Sequence, residues 1–270
     1  MYCLARPQCL PRLAQGTDNA LRGVDSRYPV TAQADVDATS QLLAVISEVE
    51  IADFSEENLQ LLAWVGERAG LHEVVVASMM DNSPVMPVKF GTIFRSHASL
   101  AHFIASHRFA IEQGLNLLQD KAEWSVKGYL LDEHHARSVF AEDDAGIALR
   151  RTTLSQAPGA RYLQQKQLDA LIEKALEAGL ARTAVELEQA LHVQAVASTA
   201  LRCHSSAMTG RAERMVFNAS FLLSEPALGA FRNVLEIQQS RFREMGVGLE
   251  LRGPWPPYNF CPDLSLNTSA

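Results

Sequence analysis

Residues Val247–Phe260, with the sequence VGLELRGPWPPYNF, constrain the fold more than any other part of the chain. Apolar and polar residues alternate over Val247–Arg252, which predicts a β-strand with one apolar face. Three prolines then hold the backbone extended and remove amide donors, so the segment cannot continue inside a sheet. This rigid segment carries three aromatic side chains, Trp255, Tyr258 and Phe260.

Two roles are open for these aromatic side chains. They could form a plug that seals the strand against the protein's own core. They could instead form a docking surface for another protein, because rigid aromatic side chains lose little entropy on binding. Phe90 and Phe94, in a second segment with alternating residues, are candidate docking residues of the same kind. If the Trp255 ring belongs to the core and the Tyr258 ring, nearer the end of the segment, is exposed, Trp255→Ala should cost more stability, and Tyr258→Ala is expected to leave a folded protein.

Five motifs occur in a defined order along the chain. They are MPVKFGTIF at Met86–Phe94, EWSVKGY at Glu123–Tyr129, PGARYL at Pro158–Leu163, FNASFLL at Phe217–Leu223 and LRGPWPPYNF at Leu251–Phe260. Together they resemble the gas vesicle protein family GvpL/GvpF. The resemblance extends from about residue 44 to residue 260 and is faint over the first forty residues.

The resemblance implies a role in gas vesicle formation. Proteins similar to this chain are minor accessory proteins of the vesicle, a gas-filled shell built mainly from the very hydrophobic protein GvpA. The implied partners are GvpA and other gas vesicle accessory proteins. Whether the chain would act as a transient assembly chaperone or remain as a minor shell component is open.

The composition is ordinary for a soluble globular protein, and the cysteines indicate a reducing cytoplasm. The 270 residues are 47% hydrophobic and carry a formal net charge of −7, which argues against nucleic acid as a partner. No apolar run approaches the ~20 residues that span a bilayer, so no membrane partner is expected. The four scattered cysteines are typical of free thiols in a reducing compartment.

The sequence contains no convincing catalytic or metal-binding pattern. The run Asp132–His135 is more typical of a solvated loop than of a metal site, and Cys203 beside His204 has no identifiable orienting group. His97, His102 and His107 are spread around one predicted helix. Because phosphate loops and GxGxxG are also absent, we predict that the chain is not an enzyme and has no cofactor.

Period-two alternation and helical patterns predict two α+β domains, 1–83 and 84–270. In the second domain the predicted strands are Val85–Phe94, Glu123–Leu131, Arg214–Ser224 and Val247–Arg252. The predicted helices between them are Ser99–Leu118 and Pro226–Met245. This repeated strand-helix-strand order predicts a ferredoxin-like sheet, with a long helical insertion at about 132–209. Within the insertion, residues 159–203 are helix-forming and Gly179 predicts a break or a bend.

The first domain has shorter elements. The predicted strands are Tyr2–Ala5, Val30–Ala34 and Leu42–Val49. Asp53 and Ser55 are candidate N-caps for a following helix, and Leu71–Met80 is predicted as a second helix. Two other classes of function remain open beside GvpA binding. One is a ferredoxin-like enzyme that binds a small molecule, and the other is a regulatory scaffold for assembly proteins.

Overall fold

The computed structural model describes residues 1–13, 21–34, 41–142, 147 and 158–264. In this part the chain divides into two units. The first contains Met1–Glu123 and the described residues from Pro254 onward, and the second contains Trp124–Gly253. The predicted domain boundary between residues 83 and 84 therefore falls inside the first unit.

The first unit contains a four-stranded sheet. Its strands are β1 (Cys3–Ala5), β2 (Thr31–Ala34), β3 (Leu43–Ile46) and β4 (Val85–Pro87). Its α-helices are α1 (Leu10–Leu13), α2 (Glu56–Gln60), α3 (Leu62–Met80) and α4 (His97–Leu118). The strand order is β2-β3-β1-β4, and the three neighbouring pairs are antiparallel. The predicted cap is confirmed, since the Ser55 side chain accepts a hydrogen bond from the Asn58 amide at the start of α2.

The second unit contains the longer strands. They are β5 (Lys121–Leu130), which begins just before the unit, β6 (Ala197–Ala200), β7 (Arg214–Ser224) and β8 (Val247–Trp255), which ends just after it. The helices are α5 (Glu133–Glu142), α6 (Pro158–His192), α7 (Ser206–Thr209) and α8 (Ala227–Glu244). The strand order is β6-β7-β5-β8. Helices α6 and α8 pack on each other and on β7, and the side chains between them form the core.

Both sheets have the same strand order. If the four strands of each sheet are numbered 1 to 4 in chain order, the order of the strands across each sheet is 4-1-3-2. This is the ferredoxin-like order, so the α+β class and the ferredoxin-like second sheet are confirmed. The predicted insertion at about 132–209 contains the crossover helices α5 and α6, and it also contains β6 and α7, so it supplies one strand of the second sheet. Residues 143–146 and 148–157 of that predicted insertion lie outside the described residues.

One of the four strands predicted for the second sheet is wrong. Val85–Phe94 yields only the short strand β4, which pairs with β1 in the first unit. The fourth strand of the second sheet is Ala197–Ala200, which was predicted to be helical. It pairs antiparallel with β7, and its Ala197 lies opposite Leu222.

The predicted break at Gly179 is also wrong. Helix α6 runs without interruption over 35 residues. A Cβ atom at position 179 would overlap the ring of Phe140, which is buried on α5. Gly179 therefore allows α5 and α6 to approach closely, and the packing outweighs the low helix propensity of glycine.

Candidate partner-binding site

A cavity of about 590 Å³ lies in the first unit. It is bounded by the start of β1, the segment that follows β3 and the loop that follows β4. The predicted docking residues Phe90 and Phe94 both line it, together with Ile51 and Phe54. The structure therefore brings together two of the five predicted docking residues in a largely apolar concave surface, the usual form of a binding site.

A tight turn after β4 places Phe90 and Phe94 in the cavity wall. Both the amide and the hydroxyl of Thr92 donate hydrogen bonds to the Lys89 carbonyl, over 3.2 and 2.7 Å. Gly91 has a φ angle of 86°, a region that glycine adopts without a steric penalty. The turn ends the strand early, which explains why the alternation in this segment overpredicted β-structure.

Aromatic rings pack against both phenylalanines of the wall. The ring centroid of Phe90 lies 6.2 Å from that of Phe54, 6.5 Å from that of Trp64 and 6.0 Å from that of His72. Phe94 packs against Phe103 with a centroid distance of 5.3 Å. Such ring contacts hold the wall in one geometry, so little side-chain entropy remains to be lost on binding.

His72 is the buried polar residue of this wall. Its Nε2 atom lies 3.0 Å from the Val88 carbonyl oxygen. Burial lowers the pKa of His72 to about 4, despite that hydrogen bond. The imidazole is therefore neutral at pH 7 and contributes shape and a hydrogen bond, while no positive charge is added to the cavity.

Ile51 in the cavity lining and three leucines of residues 59–62 are exposed apolar side chains that the sequence analysis did not identify as site residues. Ile51 lines the cavity and is 70% exposed, while Leu62, at the start of α3, is 88% exposed. Leu59 and Leu61 are exposed as well. The sequence feature that could have identified the exposed leucines is the run LQLLAWV at residues 59–65, because it is apolar on more than one face of a helix.

The proline-rich segment lies against the first unit. Tyr258 and Phe260 belong to a short 3-10 helix and are half-buried. The Tyr258 hydroxyl hydrogen-bonds to Glu73 on α3, and burial together with that carboxylate raises the pKa of Tyr258. Trp255 is 43% exposed, so the order of exposure assumed for Trp255 and Tyr258 is reversed. A docking role for these three residues stays a prediction.

Two other sequence candidates, Asp132 and Cys203, lie outside the cavity lining. The Asp132 carboxylate accepts a hydrogen bond of 2.8 Å from the backbone amide of His135. The Asp132 side chain therefore caps the start of α5. Cys203 is a free thiol whose pKa is raised by burial, so it is not activated as a nucleophile. In the described ranges no group of three His, Cys, Asp or Glu side chains could hold a metal ion. No helix among those residues is long and apolar enough to cross a membrane.

Comparisons with known proteins agree on one family. The sequence model of the gas vesicle synthesis protein GvpL/GvpF family matches residues 1–262. Gas vesicle protein L of Streptomyces sp. (strain CB03234) is 26% identical over 228 residues, which cover 82% of this chain and 80% of that protein. Gas vesicle protein L2 of Halobacterium salinarum (strain ATCC 700922 / JCM 11081 / NRC-1) is 27% identical over 202 residues, covering 72% of this chain and 70% of that protein.

Two crystal structures share the fold. Gas vesicle protein GvpF from Anabaena sp. PCC7120 superposes with a TM-score of 0.69 at 17% identity, over 97% of this chain and 99% of that one. GvpF from Microcystis aeruginosa gives a TM-score of 0.63 at 14% identity, over 97% and 98% of the two chains. With a family match over nearly the whole sequence and the same fold in these structures, the chain belongs to the GvpL/GvpF family of gas vesicle proteins.

Proposed function

We propose that this protein promotes gas vesicle formation by binding the hydrophobic shell protein GvpA in the cytoplasm. It would act as an assembly chaperone or stay on the vesicle as a minor shell component. Family membership supports the role in gas vesicles. The largely apolar cavity, with Ile51 exposed in its lining, supports the binding activity, and it is the observation that carries the proposal.

The properties of GvpA explain why such a site is useful. A shell protein that faces gas on one side must expose apolar surface, and that surface promotes aggregation in water. A cavity of about 590 Å³ can enclose several apolar side chains. The net charge of −7 would help to keep a complex with an apolar partner in solution.

The five predicted docking residues contribute differently to this proposal. Phe90 and Phe94 form the inner wall that receives apolar groups of GvpA. Trp255 offers an exposed ring as a separate contact. Tyr258 and Phe260 are half-buried, so they act mainly by holding the proline-rich segment in place.

The experiment compares two isoleucines with nearly equal exposure. Ile51 lies on the cavity rim and is 70% exposed, while Ile237 on α8 is 68% exposed and lies in the other unit. Ile51→Ser and Ile237→Ser remove similar apolar area and should leave the fold intact. Full-length variants are immobilised, and the capture of GvpA made by cell-free translation is measured. Vesicle yield is measured in parallel in cells that carry each variant.

We expect Ile51→Ser to reduce both GvpA capture and vesicle yield, while Ile237→Ser behaves as the unmodified protein. Equal behaviour of the two variants would exclude the cavity as the binding site. The regulatory-scaffold alternative predicts binding of other gas vesicle accessory proteins without any capture of GvpA. The enzyme alternative predicts that neither GvpA nor the other gas vesicle accessory proteins are captured.

A further inference from the structure

The two sides of the cavity carry opposite charge. Residues 46–57, on one side, contain five carboxylates and no lysine or arginine. Residues 88–98, on the other side, contain two basic residues and one histidine but no carboxylate. From the first segment Glu48 lines the cavity, and from the second Arg95 and His97 line it.

Among the acidic and basic side chains of the cavity lining, Glu48 and Arg95 remain available to a partner. Asp53 is paired with Arg27, and Glu50 accepts a hydrogen bond from the Tyr28 hydroxyl. Glu48 and Arg95 are exposed, and neither forms an ion pair within the part of the chain that the structure describes. Each therefore keeps its full electrostatic attraction for a charge on a bound protein.

We infer that the cavity binds an amphipathic segment of GvpA whose apolar stripe is bordered by acidic residues on one side and basic residues on the other. This inference rests on the proposed function and adds the chemistry and the direction of the bound segment. The acidic border would lie along Arg95 and the basic border along Glu48. Because reversing the segment would place like charges together, the two walls select one direction of binding.

A partner with charges of a single sign fits these walls poorly. A strongly anionic surface would be attracted by Arg95 but repelled by Glu48 and the other carboxylates of residues 46–57. A strongly cationic segment would meet the opposite conflict. The charge distribution therefore favours a segment with mixed charge on both sides of an apolar stripe.

Charge reversal at each wall tests the inference. Arg95→Glu places a carboxylate on both sides of the cavity lining, and Glu48→Lys removes the acidic side chain of the lining and places a basic one there. The matched controls are Arg202→Glu and Glu225→Lys, two exposed positions in the other unit. Capture of GvpA from cell-free translation is measured for the full-length variants at low and at high salt.

We expect each cavity variant to weaken GvpA capture by about 3- to 10-fold at low salt, and the controls to leave it unchanged. High salt should reduce the difference, because it screens exposed charges. If both cavity variants capture GvpA normally while Ile51→Ser does not, the charged walls do not select the partner and the proposed function stands. If the unmodified protein captures no GvpA, the inference and the proposed function are both wrong.

Discussion

The backbone amide of Asn259 donates a hydrogen bond of 3.0 Å to Oε2 of Glu123, which lies 136 positions earlier in the sequence. The Asn259 side-chain amide donates a second bond, of 2.5 Å, to Oε1 of the same carboxylate. Glu123 is only 4% exposed, so water cannot easily replace these donors. The pair fastens the proline-rich segment to the first unit and satisfies a buried carboxylate at the same time.

Asn259→Ala is therefore expected to destabilise the protein. The variant removes one donor from the buried Glu123 carboxylate, which should lower the free energy of unfolding by about 1–3 kcal/mol. Urea unfolding measures this change. Asn116→Ala is the control, because Asn116 is exposed and accepts its hydrogen bond from an exposed Arg6 side chain. The control should change stability by less than about 0.5 kcal/mol, and equal losses would contradict the argument.

Tyr258→Ala is expected to cost more stability than Trp255→Ala. Tyr258 is half-buried and loses both its packing and its hydrogen bond to Glu73, for a cost of about 2–4 kcal/mol. Trp255 is partly exposed, and its loss should cost about 1 kcal/mol. Melting temperatures compare the two variants. A larger drop for Trp255→Ala would show that its ring is the main anchor of the segment.

The stability of the protein should fall in acid because of His72. Its pKa is lowered from 6.5 to about 4 by burial, so the unfolded chain binds a proton more readily than the folded protein. The stabilisation is present above pH 6.5 and is lost as the pH falls toward 4. Between about pH 7 and about pH 5 the loss should be on the order of 2 kcal/mol.

His72→Gln isolates this contribution, since glutamine can still donate to the Val88 carbonyl but does not titrate. Urea unfolding at about pH 7 and about pH 5 gives the free energy of unfolding at each pH. This free energy should fall less between the two pH values for His72→Gln than for the unmodified protein. His134→Gln, at an exposed position on α5, is the control and should show the same decrease in the free energy of unfolding as the unmodified protein. If the free energy of unfolding of His72→Gln falls as much as that of the unmodified protein, groups other than His72 cause the loss of stability in acid.

Gly179→Ala is expected to destabilise the second unit even though alanine favours helices. The new methyl group would overlap the Phe140 ring, with a cost of about 1–3 kcal/mol that exceeds the propensity gain of about 1 kcal/mol. Gly229→Ala is the control, because no atom lies within 4 Å of a Cβ at that helical position. It should be neutral or stabilising in thermal unfolding. A stabilised Gly179→Ala would refute the packing role of this glycine.

Strong local patterns allowed much of the fold to be predicted. β7 matches the predicted range Arg214–Ser224, because its alternating large apolar residues leave no competing helical pattern. The failures arose where a distant partner decides the structure. Ala197–Ala200 has weak β-propensity and becomes a strand through its pairing with β7. Gly179 was interpreted through propensity, while the ring of Phe140 decides its role.

The candidate site was predictable only in part. Phe90 and Phe94 were identified from an aromatic pattern, although the strand assigned to them is a turn around Gly91. Ile51 escaped notice because an exposed apolar residue is recognised only when its burial is known. The opposite charges near the cavity lie about forty residues apart in sequence, and only the fold brings them to one cavity.

The bond between Asn259 and Glu123 has a consequence for biosynthesis. The first unit needs the proline-rich segment, which the ribosome makes only after the whole of Trp124–Gly253. At roughly 5–20 residues per second, that delay is on the order of ten seconds. During this interval the Glu123 carboxylate of the nascent first unit lacks its two donors from Asn259. The second unit can therefore finish folding before the first one closes, so the order of maturation is opposite to the order of translation.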